Sequence, residues 1–245
     1  MAVDGFLFQH DGYCCVCEQH VAFSADGPYF RSTLKCPSCK TVPRHRALFL
    51  ALNRVLPNWR DLDIHESSPG WDLVSQRIRK EAKSYTASQW DPSVPPGSIH
   101  AKGYRAEDLQ HQTFADEVFD LVLAQDVFEH IFEPDKAIKE IARTLRPGGA
   151  FIATVPIVLK TRPSRRRAAF LDGEIRHHLP AEYHGNPVSA EGSLVTIDWG
   201  YDIGAYLQHH SGLSFLILQI DNIEQGIRAD YIEVLVGIKQ PIPVL

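Results

Sequence analysis

Two continuous apolar runs, separated by one amphipathic helix, constrain the fold of this chain most. Residues 119–124 read FDLVLA and follow an acidic turn, and residues 150–155 read AFIATV. Such runs are typical of strands that are buried on both faces. Between them, residues 134–145 place apolar side chains on one helical face, and the RPGG sequence at 146–149 ends that helix. The segment therefore predicts a β–α–β unit within a parallel sheet.

The same alternation of strand and helix continues on both sides of this unit. We predict further strands at residues 61–66, 84–88, 98–104, 213–220 and 231–238, and helices at 71–82 and 201–210. The last two strands are joined without a helix, so we expect them to pair antiparallel at the sheet edge. The predicted fold class is α/β: a doubly wound, Rossmann-like sheet of seven strands with an antiparallel edge strand. Such sheets bind ligands at the carboxyl ends of their strands.

All five cysteines lie within the first 39 residues, as two CxxC pairs and one extra thiol. Cys14 and Cys17 form the first pair, and Cys36 and Cys39 form the second. Four thiolates on two tight turns suit tetrahedral Zn²⁺, and a closed four-sulfur site leaves no coordination position for catalysis. We therefore predict a structural zinc ribbon of two small hairpins, with Cys15 as a spare thiol.

The chain divides into a small module and one larger domain. Its 245 residues suffice for one α/β domain of about 200 residues plus an appendage. We place the zinc-ribbon module at residues 1–45 and the larger domain at 46–245, with a long insertion at 157–199. Near the boundary, Arg44 and Arg46 either meet an acidic ligand or lie solvated at the start of a helix.

Charge and hydropathy argue against several partners. The net charge of −5 disfavours nucleic acid as the main partner, although residues 162–167 carry a local arginine cluster. No stretch reaches the roughly 18 apolar residues of a membrane span, and residues 1–9 lack the features of a secretory signal. We therefore expect a cytoplasmic protein without a membrane partner, and the sequence carries no indication of its oligomeric state.

Residues 119–156 carry a joined pattern of motifs. FDLVLAQDVFEHI at 119–131, EIARTLRPGG at 140–149 and AFIATVP at 150–156 together resemble the class I S-adenosylmethionine-dependent methyltransferases, and more narrowly their type 11-like branch. The resemblance extends well over residues 60–156 and loosely beyond them. It implies S-adenosyl-L-methionine as the cofactor and methyl transfer as the activity.

By position in this resemblance, residues 66–70 form the cofactor loop. The resemblance assigns the methionine part of the cofactor to Glu66, Ser67, Ser68 and Gly70, with Glu66 reaching the methionine amino group. Most members of the family have three glycines in this loop, because glycine lets the backbone approach the cofactor closely. This chain has one glycine there, although Ser67 and Ser68 are small.

The resemblance assigns the other cofactor contacts to residues after three later strands. Asp91 takes the place of the carboxylate that holds both ribose hydroxyls, unless it opens a turn instead. Glu107 and Asp108 match the acidic pair near the adenine amino group, and Asp108 alternatively caps a helix. Gln125 and Asp126 end the fourth strand, under the sulfonium.

Histidines are the candidate catalytic residues. His130 acts either as a general base on a substrate hydroxyl or as a packed residue that orients its loop. The insertion lies where related enzymes build a substrate lid, and His184 within it either contacts the substrate or lies in a turn. A second metal site is a further hypothesis, with His177, His178 and His184 as ligands, although their spacing matches no diagnostic metal-binding motif.

These features predict methyl transfer to a small polar acceptor. O-methylation of a sugar or glycan hydroxyl is favoured, because the aromatic, histidine and asparagine side chains of the insertion suit a hydroxylated ring. One alternative is an RNA or other nucleic-acid methyltransferase, which the net charge and the lack of an Asn-Pro-Pro-aromatic motif disfavour. The other alternative is a non-catalytic binding or scaffold protein, which the atypical loop at 66–70 supports.

Overall fold

A computed structural model describes residues 7–70, 72–186 and 191–241, so Trp71 at the predicted helix start and Pro187 in the insertion lie outside the described residues. The strands are β1 Phe8–Cys14, β2 Gln19–Ala25, β3 Asp63–Ser67, β4 Ser84–Gln89, β5 Arg105–Ala106, β6 Phe119–Gln125, β7 Leu145–Thr154, β8 Arg165–Arg166, β9 Ala168–Leu171, β10 Glu174–His177, β11 Tyr183–His184, β12 Ser193–Leu194, β13 Ile197–Asp198, β14 Ser214–Leu218 and β15 Val234–Ile238. The α-helices are α1 Phe30–Thr33, α2 Pro43–Val55, α3 Leu73–Glu81, α4 Pro134–Thr144 and α5 Ile203–Ser211. None of these described helices combines the length and the apolar character needed to cross a membrane.

Seven strands form the central sheet in the order β14-β15-β7-β6-β3-β4-β5. The strands from β7 to β5 in this order pair in parallel, whereas β15 pairs antiparallel with both β7 and β14. The strand order reverses at β3, because β4 lies on one side of it and β6 lies on the other. The structure confirms the predicted α/β class, and its antiparallel strand lies one place in from the sheet edge.

The strand predicted at residues 98–104 does not form there. Residues 98–104 form a turn in which the Gly103 N–H donates to the His100 carbonyl at 2.8 Å. Gly103 adopts a φ of +83°, the left-handed conformation that glycine reaches without strain. In this part of the described chain, the residues that pair with β4 are Arg105 and Ala106, which form β5. The prediction of a strand over 98–104 is therefore wrong, because a tight turn interrupts the extended backbone.

Alternate side chains of β6 enter two separate hydrophobic layers. Leu121 and Leu123 pack in the layer that contains α2 and α3, whereas Val122 and Ala124 pack in the layer that contains α4 and α5. All four side chains are fully buried. Helices on both faces of the sheet explain why β6 reads as a continuous apolar run.

The N-terminal module shares the first of these layers. Phe23 of β2 and Leu34 are fully buried in the same cluster as Leu48 and Leu52 of α2. Helix α2 begins at Pro43, so the proposed domain boundary at residue 45 lies within its first turn. The module and the sheet are consequently packed together through α2.

Arg46 is fully buried in this shared core. Its guanidinium donates to the carbonyls of Leu34 at 2.9 Å and Gly226 at 2.6 Å, and also to the carbonyl of Thr41. The guanidinium lies 4.7 Å from the centre of the Phe23 ring. Arg46 therefore neither meets an acidic ligand nor lies solvated: it joins the module to the segment around Gly226.

Replacing Arg46 by leucine is expected to lower the free energy of unfolding by about 3–5 kcal/mol, because the change removes the buried guanidinium that donates to three buried carbonyls. Urea unfolding followed by circular dichroism measures this difference. Arg54→Leu, at an exposed position of the same helix, is the matched control and is expected to stay within about 0.5 kcal/mol of the wild type. Equal stabilities of the two variants would contradict the structural role of Arg46.

The insertion at 157–199 forms short antiparallel pairs: β8 with β13, β9 with β10 and β11 with β12. Thr196 anchors it to the segment after β6, because its N–H and its hydroxyl donate to the Glu129 carbonyl at 2.8 and 3.1 Å. The insertion therefore lies against the carboxyl end of β6.

Candidate functional site

Four cysteine sulfurs meet between the β1–β2 turn and the segment after α1. The Cys14 and Cys39 sulfurs lie 3.7 Å apart, as do those of Cys17 and Cys36. All four sulfurs lie within 4.8 Å of one another. A tetrahedral zinc ion with bonds of about 2.3 Å places its sulfurs about 3.8 Å apart, so this spacing fits the ion.

The rest of the module departs from a ribbon of two hairpins. The Cys15 sulfur lies outside the cluster, 3.7 Å from the Arg46 carbonyl, as predicted for a spare thiol. Strands β1 and β2 form a hairpin, but the second cysteine pair follows α1 and touches β2 through one bridge between Ser24 and Lys35. The prediction of a second hairpin is therefore wrong, because α1 occupies the chain between the two cysteine pairs.

One large cavity opens at the carboxyl ends of the central strands, where the strand order reverses. Its volume is about 790 Å³, within the range of roughly 300–1,000 Å³ that is typical of small-molecule sites. The strand ends, the zinc module and the insertion all contribute to its lining. These residues include Ser68, Gly70, Asp72, Gln89, Trp90, Gln125 and Asp126 after the strands, Tyr29, Arg31, Ser32, Arg44 and His45 near the module, and Glu182, His184, Asn186 and Asp198 in the insertion.

The loop at 66–70 makes a sharp turn at a serine. Ser68 adopts a φ of +52°, in the left-handed region that favours glycine. Its N–H donates to the Ser88 carbonyl at 2.7 Å, which fixes the turn against the end of β4. Ser68 and Gly70 line the cavity, whereas Ser67 is buried outside the lining. The loop therefore brings its backbone to the cavity although it lacks two of the three glycines expected there.

Glu66 lies behind the cavity wall rather than in it. Its carboxylate accepts hydrogen bonds from the Ser75 hydroxyl at 2.7 Å, the Tyr85 hydroxyl at 2.7 Å and Gln125 Nε2 at 3.2 Å. The side chain is fully buried, and burial raises the pKa of Glu66 to about 7. Of these four residues only Gln125 lines the cavity, so the hydrogen bond to Gln125 is the link between Glu66 and the cavity.

Replacing Glu66 by glutamine is expected to change how stability depends on pH. The pKa of Glu66 is about 7 in the folded protein and ordinarily 4.5. The folded state binds this proton more tightly than the unfolded state does. The contribution of Glu66 to stability is therefore complete below pH 4.5 and is lost as the pH rises through about 7. Relative to the wild type, Glu66→Gln should gain about 3 kcal/mol between these limits. Urea unfolding at both ends of the range measures the gain, and a difference that does not vary with pH would contradict it.

Asp72 is a cavity residue that the sequence analysis missed. Its Oδ1 caps α3 by accepting from the N–H groups of Val74 at 2.7 Å and Ser75 at 3.4 Å. Its Oδ2 lies 4.0 Å from His45 Nε2 and 3.4 Å from Gln125 Nε2. An aspartate directly before a helical pattern is a recognisable cap, but only the fold shows that its second oxygen faces the cavity.

Two arginines reach from the module and the start of α2 to the end of β6. Arg31 Nη2 and Arg44 Nε lie 2.8 and 3.0 Å from the same oxygen of Asp126. The other oxygen of Asp126 accepts from the Thr154 hydroxyl at 3.0 Å. Arg44 thus meets an acidic group that belongs to the chain itself. Arg31 belongs to no motif, so the sequence offered no sign of its place in the cavity.

Asp91 lies just outside the cavity lining. It accepts hydrogen bonds from the Ser93 hydroxyl at 2.5 Å and the Tyr104 hydroxyl at 2.6 Å. These bonds lower the pKa of Asp91 to about 2. The arrangement agrees with the alternative that Asp91 opens a turn, and the cavity residues at this strand end are Gln89 and Trp90.

Glu107 and Asp108 also lie outside the lining. Glu107 is buried and accepts from Arg105 Nε at 2.6 Å and from the Thr113 hydroxyl at 2.6 Å. Asp108 accepts from the Gln110 N–H at 2.8 Å, so it caps a turn rather than a helix. Both carboxylates are engaged with the chain's own donors.

His130 and His184 meet within the cavity. His130 Nε2 lies 3.8 Å and His184 Nδ1 lies 4.0 Å from Glu129 Oε1. The two imidazole rings are nearly perpendicular, with centroids 5.1 Å apart. His130 Nδ1 donates to the Leu194 carbonyl at 2.9 Å, which leaves the lone pair on Nε2. Burial lowers the pKa of His130, so the ring is neutral near pH 7.

Glu129 completes this cluster, although the sequence analysis gave it no role. Its side chain is buried, and burial raises its pKa well above the ordinary value. Among the described residues, His184 groups with Glu129 and His130 rather than with His177 and His178. The metal hypothesis built on His177, His178 and His184 thus finds no support, because the first two are exposed on the insertion.

Comparison with known sequences identifies the central segment. Residues 71–153 match the family model of a methyltransferase domain, Methyltransf_11. The chain is 31% identical over 115 residues to a ubiquinone biosynthesis O-methyltransferase of Parvibaculum lavamentivorans, with 44% of this chain and 46% of that protein covered. It is 29% identical over 180 residues to the protein of the same name from Agrobacterium fabrum, with 68% and 67% covered. The chain spans about half the length of most of these curated relatives.

Solved structures share the fold. An S-adenosylmethionine-dependent methyltransferase from Mesorhizobium loti matches with a TM-score of 0.53 at 15% identity, covering 79% of this chain and 98% of that one. The 1,6-didemethyltoxoflavin-N1-methyltransferase of Burkholderia thailandensis, solved with S-adenosylhomocysteine, matches with a TM-score of 0.53 at 14% identity, covering 80% and 78%. The family match runs from α3 to β7 and includes β4 and β6, two of the strands whose ends form the cavity. Residues 71–153 therefore match a methyltransferase domain, and the chain shares the fold of solved S-adenosylmethionine-dependent methyltransferases.

Proposed function

We propose that the chain transfers a methyl group from S-adenosylmethionine to a hydroxyl oxygen of a small polar acceptor. The observation that carries this proposal is that one cavity contains both the sharp loop after β3 and the paired histidines His130 and His184. The names of the curated relatives, O-methyltransferases, support oxygen as the accepting atom.

The methionine end of the cofactor is proposed to lie between the loop at 66–70 and the zinc module. Methionine carries an ammonium and a carboxylate, so its site needs an acceptor and a donor. Asp72 Oδ2 supplies the acceptor, and Arg44 and His45 on the facing wall supply donors. Glu66 contributes indirectly, by orienting Gln125.

The sulfonium is proposed to lie at the end of β6. Gln125 and Asp126 line the cavity there. The negative charge of Asp126 is shared with Arg31 and Arg44, so the site attracts the positive methyl donor less strongly than a free carboxylate would.

The adenosine end is proposed to lie where β4 ends. Trp90 is 62% exposed, and its free aromatic face suits stacking against a base. Gln89 adjoins it in the lining. We retain the roles proposed for three carboxylates: Asp91 toward ribose, and Glu107 and Asp108 toward adenine. For these roles the nucleotide must replace some of the hydrogen-bond donors that the carboxylates bind in the present structure.

The transfer itself exchanges one bond for another. A bond forms between the acceptor oxygen and the methyl carbon, and the carbon–sulfur bond breaks with its electron pair remaining on sulfur. As the oxygen attacks, the hydroxyl proton passes to the Nε2 lone pair of His130 or to solvent. Positioning of the two reactants supplies most of the acceleration, and activation of the hydroxyl beside His130 and His184 adds about 10²–10⁴-fold.

We propose that Cys14, Cys17, Cys36 and Cys39 bind one structural Zn²⁺. The spacing of the sulfurs supports this, and so does the small core of the module, which depends on α2 for burial. With four sulfur ligands the ion has no open position, so it takes no part in the reaction.

The acceptor is proposed to be small and polar because charged side chains line much of the cavity. The sequence favoured a sugar or glycan hydroxyl, a choice that the curated relatives do not support, because their names place them in ubiquinone biosynthesis. Phenolic hydroxyls are therefore the second class to compare. The net charge of −5 continues to disfavour nucleic acid.

Release of S-adenosylhomocysteine from S-adenosylmethionine tests the proposal. The purified protein is assayed with a metabolite extract, with simple phenols and catechols, and with nucleotide sugars, and each product is analysed for an O-methyl group. Turnover that yields an O-methylated product supports the proposal. Cofactor binding without turnover for any acceptor would favour the non-catalytic alternative, and turnover that requires RNA would favour the nucleic-acid alternative. A protein that neither binds nor turns over the cofactor would overturn it.

A further inference from the structure

We propose that Glu129, His130 and His184 bind a divalent transition-metal cation, and that this cation holds and activates the acceptor hydroxyl. The activating role rests on the proposed methyl transfer, whereas metal binding by the three side chains does not. This site is separate from the four-cysteine site, which holds no residue of the cavity lining.

The positions of the three side chains suit one ion. Glu129 Oε1 lies 3.8 Å from His130 Nε2 and 4.0 Å from His184 Nδ1. Neighbouring ligand atoms around one ion, with bonds of about 2.1 Å, lie about 3.0–3.4 Å apart, so the side chains must close by about 1 Å on binding. The three side chains offer ligand atoms within 4.8 Å of one another, which leaves only small rotations to make. Two imidazoles and one carboxylate bind such ions while leaving coordination positions open.

The carboxylate of Glu129 is otherwise unexplained. Its side chain is buried, and neither oxygen has a hydrogen-bond partner in the described structure. Buried carboxylates are normally paired or bound to metal. The two arginines of the cavity, Arg31 and Arg44, bind Asp126 instead. A cation bound together with the two histidines would supply the partner that this carboxylate lacks in the described structure.

The surroundings of both histidines fit a metal site. His130 donates its Nδ1 hydrogen to the Leu194 carbonyl, the outer contact that typically orients a metal-binding imidazole. Leu194 belongs to β12, which pairs with β11, the strand that carries His184. One small hairpin of the insertion therefore supplies one ligand and orients another. His184 is also partly exposed, so the site stays open on its cavity side.

A cation at this place changes how the hydroxyl is activated. An oxygen bound to a divalent cation loses its proton far more readily than a free hydroxyl does. The proton passes to solvent, and the deprotonated oxygen attacks the methyl carbon. His130 then serves as a ligand rather than as a general base.

Titration of the zinc-loaded protein with Mn²⁺, followed by electron paramagnetic resonance, tests the site without cofactor or acceptor. Mn²⁺ suits this purpose because it prefers oxygen and nitrogen ligands to thiolates. We expect one bound Mn²⁺ per chain and at least a tenfold loss of affinity in Glu129→Gln. Glu133→Gln, at an exposed position of the same segment, is the matched control and should bind Mn²⁺ like the wild type. His184→Ala, at a half-exposed position, should reproduce the loss even if Glu129→Gln fails to fold.

A wild type that binds no Mn²⁺, or variants at Glu129 and His184 that bind it equally well, would overturn the metal site. Turnover that is unchanged after the second metal is removed, with the zinc retained, would overturn the activating role. Failure of the proposed function is distinguishable, because it would appear as absent cofactor binding or absent turnover while Mn²⁺ still binds.

Discussion

Replacing Cys36 by serine is expected to unfold the N-terminal module and to weaken binding of S-adenosylhomocysteine about 100-fold. Structural zinc supplies about 10–16 kcal/mol of apparent binding free energy in small zinc domains, and this module has little core beyond the part shared with α2. Its loss removes Tyr29 and Arg31 from the cavity and displaces Arg44. We expect the loss of these three lining residues to cost about 1 kcal/mol each in ligand binding, which corresponds to about two orders of magnitude in affinity. Calorimetric titration with S-adenosylhomocysteine and a zinc count measure both effects.

Cys15→Ser is the matched control for this experiment. Cys15 lies in the same turn as Cys14 and Cys17, but its sulfur faces the Arg46 carbonyl instead of the cluster. The variant should keep one zinc per chain and bind S-adenosylhomocysteine within about threefold of the wild type. If Cys36→Ser bound this ligand as tightly as Cys15→Ser, the module would not be part of the cofactor site.

His130→Ala is expected to lower kcat by about 10²-fold or more and to leave the affinity for S-adenosylhomocysteine nearly unchanged. The Nε2 lone pair of His130 belongs to the cluster with Glu129 and His184, which we propose to activate the acceptor. The proposed contacts of the methionine end, around Asp72 and Arg44, come from other walls of the cavity. Steady-state kinetics with an acceptor from the screen, together with calorimetry, separate the two effects.

His178→Ala provides the control, because His178 is exposed on the same insertion and lies outside the cavity lining. Its kcat should remain within about twofold of the wild type. An unchanged kcat in His130→Ala would show that His130 takes no part in the reaction. A parallel loss of cofactor binding would instead indicate that His130 supports the fold of the cavity.

The sequence predicted best those strands and helices whose burial produces a regular hydrophobic pattern over many residues. The predicted strand at 119–124 and helix at 134–145 became β6, Phe119–Gln125, and α4, Pro134–Thr144. Both alternate faces of β6 are buried, and α4 buries one continuous stripe, so each leaves a clear pattern in the sequence. Strand β5 has two residues, too few for any period, and its neighbours are shaped by the turn at Gly103.

Some residues of the candidate site could likewise be predicted from the sequence, and others could not. Ser68, Gly70, Gln125 and Asp126 could be placed from the order of strands alone, because carboxyl ends of parallel strands meet at one edge. Arg31 and Asp72 could not, because their positions depend on how the zinc module packs over α2 and α3. That packing is a long-range property which no local pattern records.

The pair Glu129 and His130 shows a further limit of sequence reasoning. An adjacent acid and histidine read equally well as a turn, a general base or a pair of ligands. What favours the last is that His184, more than fifty residues later, lies 4.0 Å from Glu129 and that the carboxylate has no other partner in the described structure. Both facts come from the way the insertion packs against the end of β6.

A crystal structure of the protein with S-adenosylhomocysteine is the most direct test of the central claim, that the cofactor lies across the carboxyl ends of β3, β4 and β6. We expect density for the nucleotide against Trp90 and for the methionine group between Ser68 and Asp72, beneath Arg44. Density for the ligand elsewhere, or a cavity that stays filled by the chain's own side chains at saturating ligand, would contradict the claim.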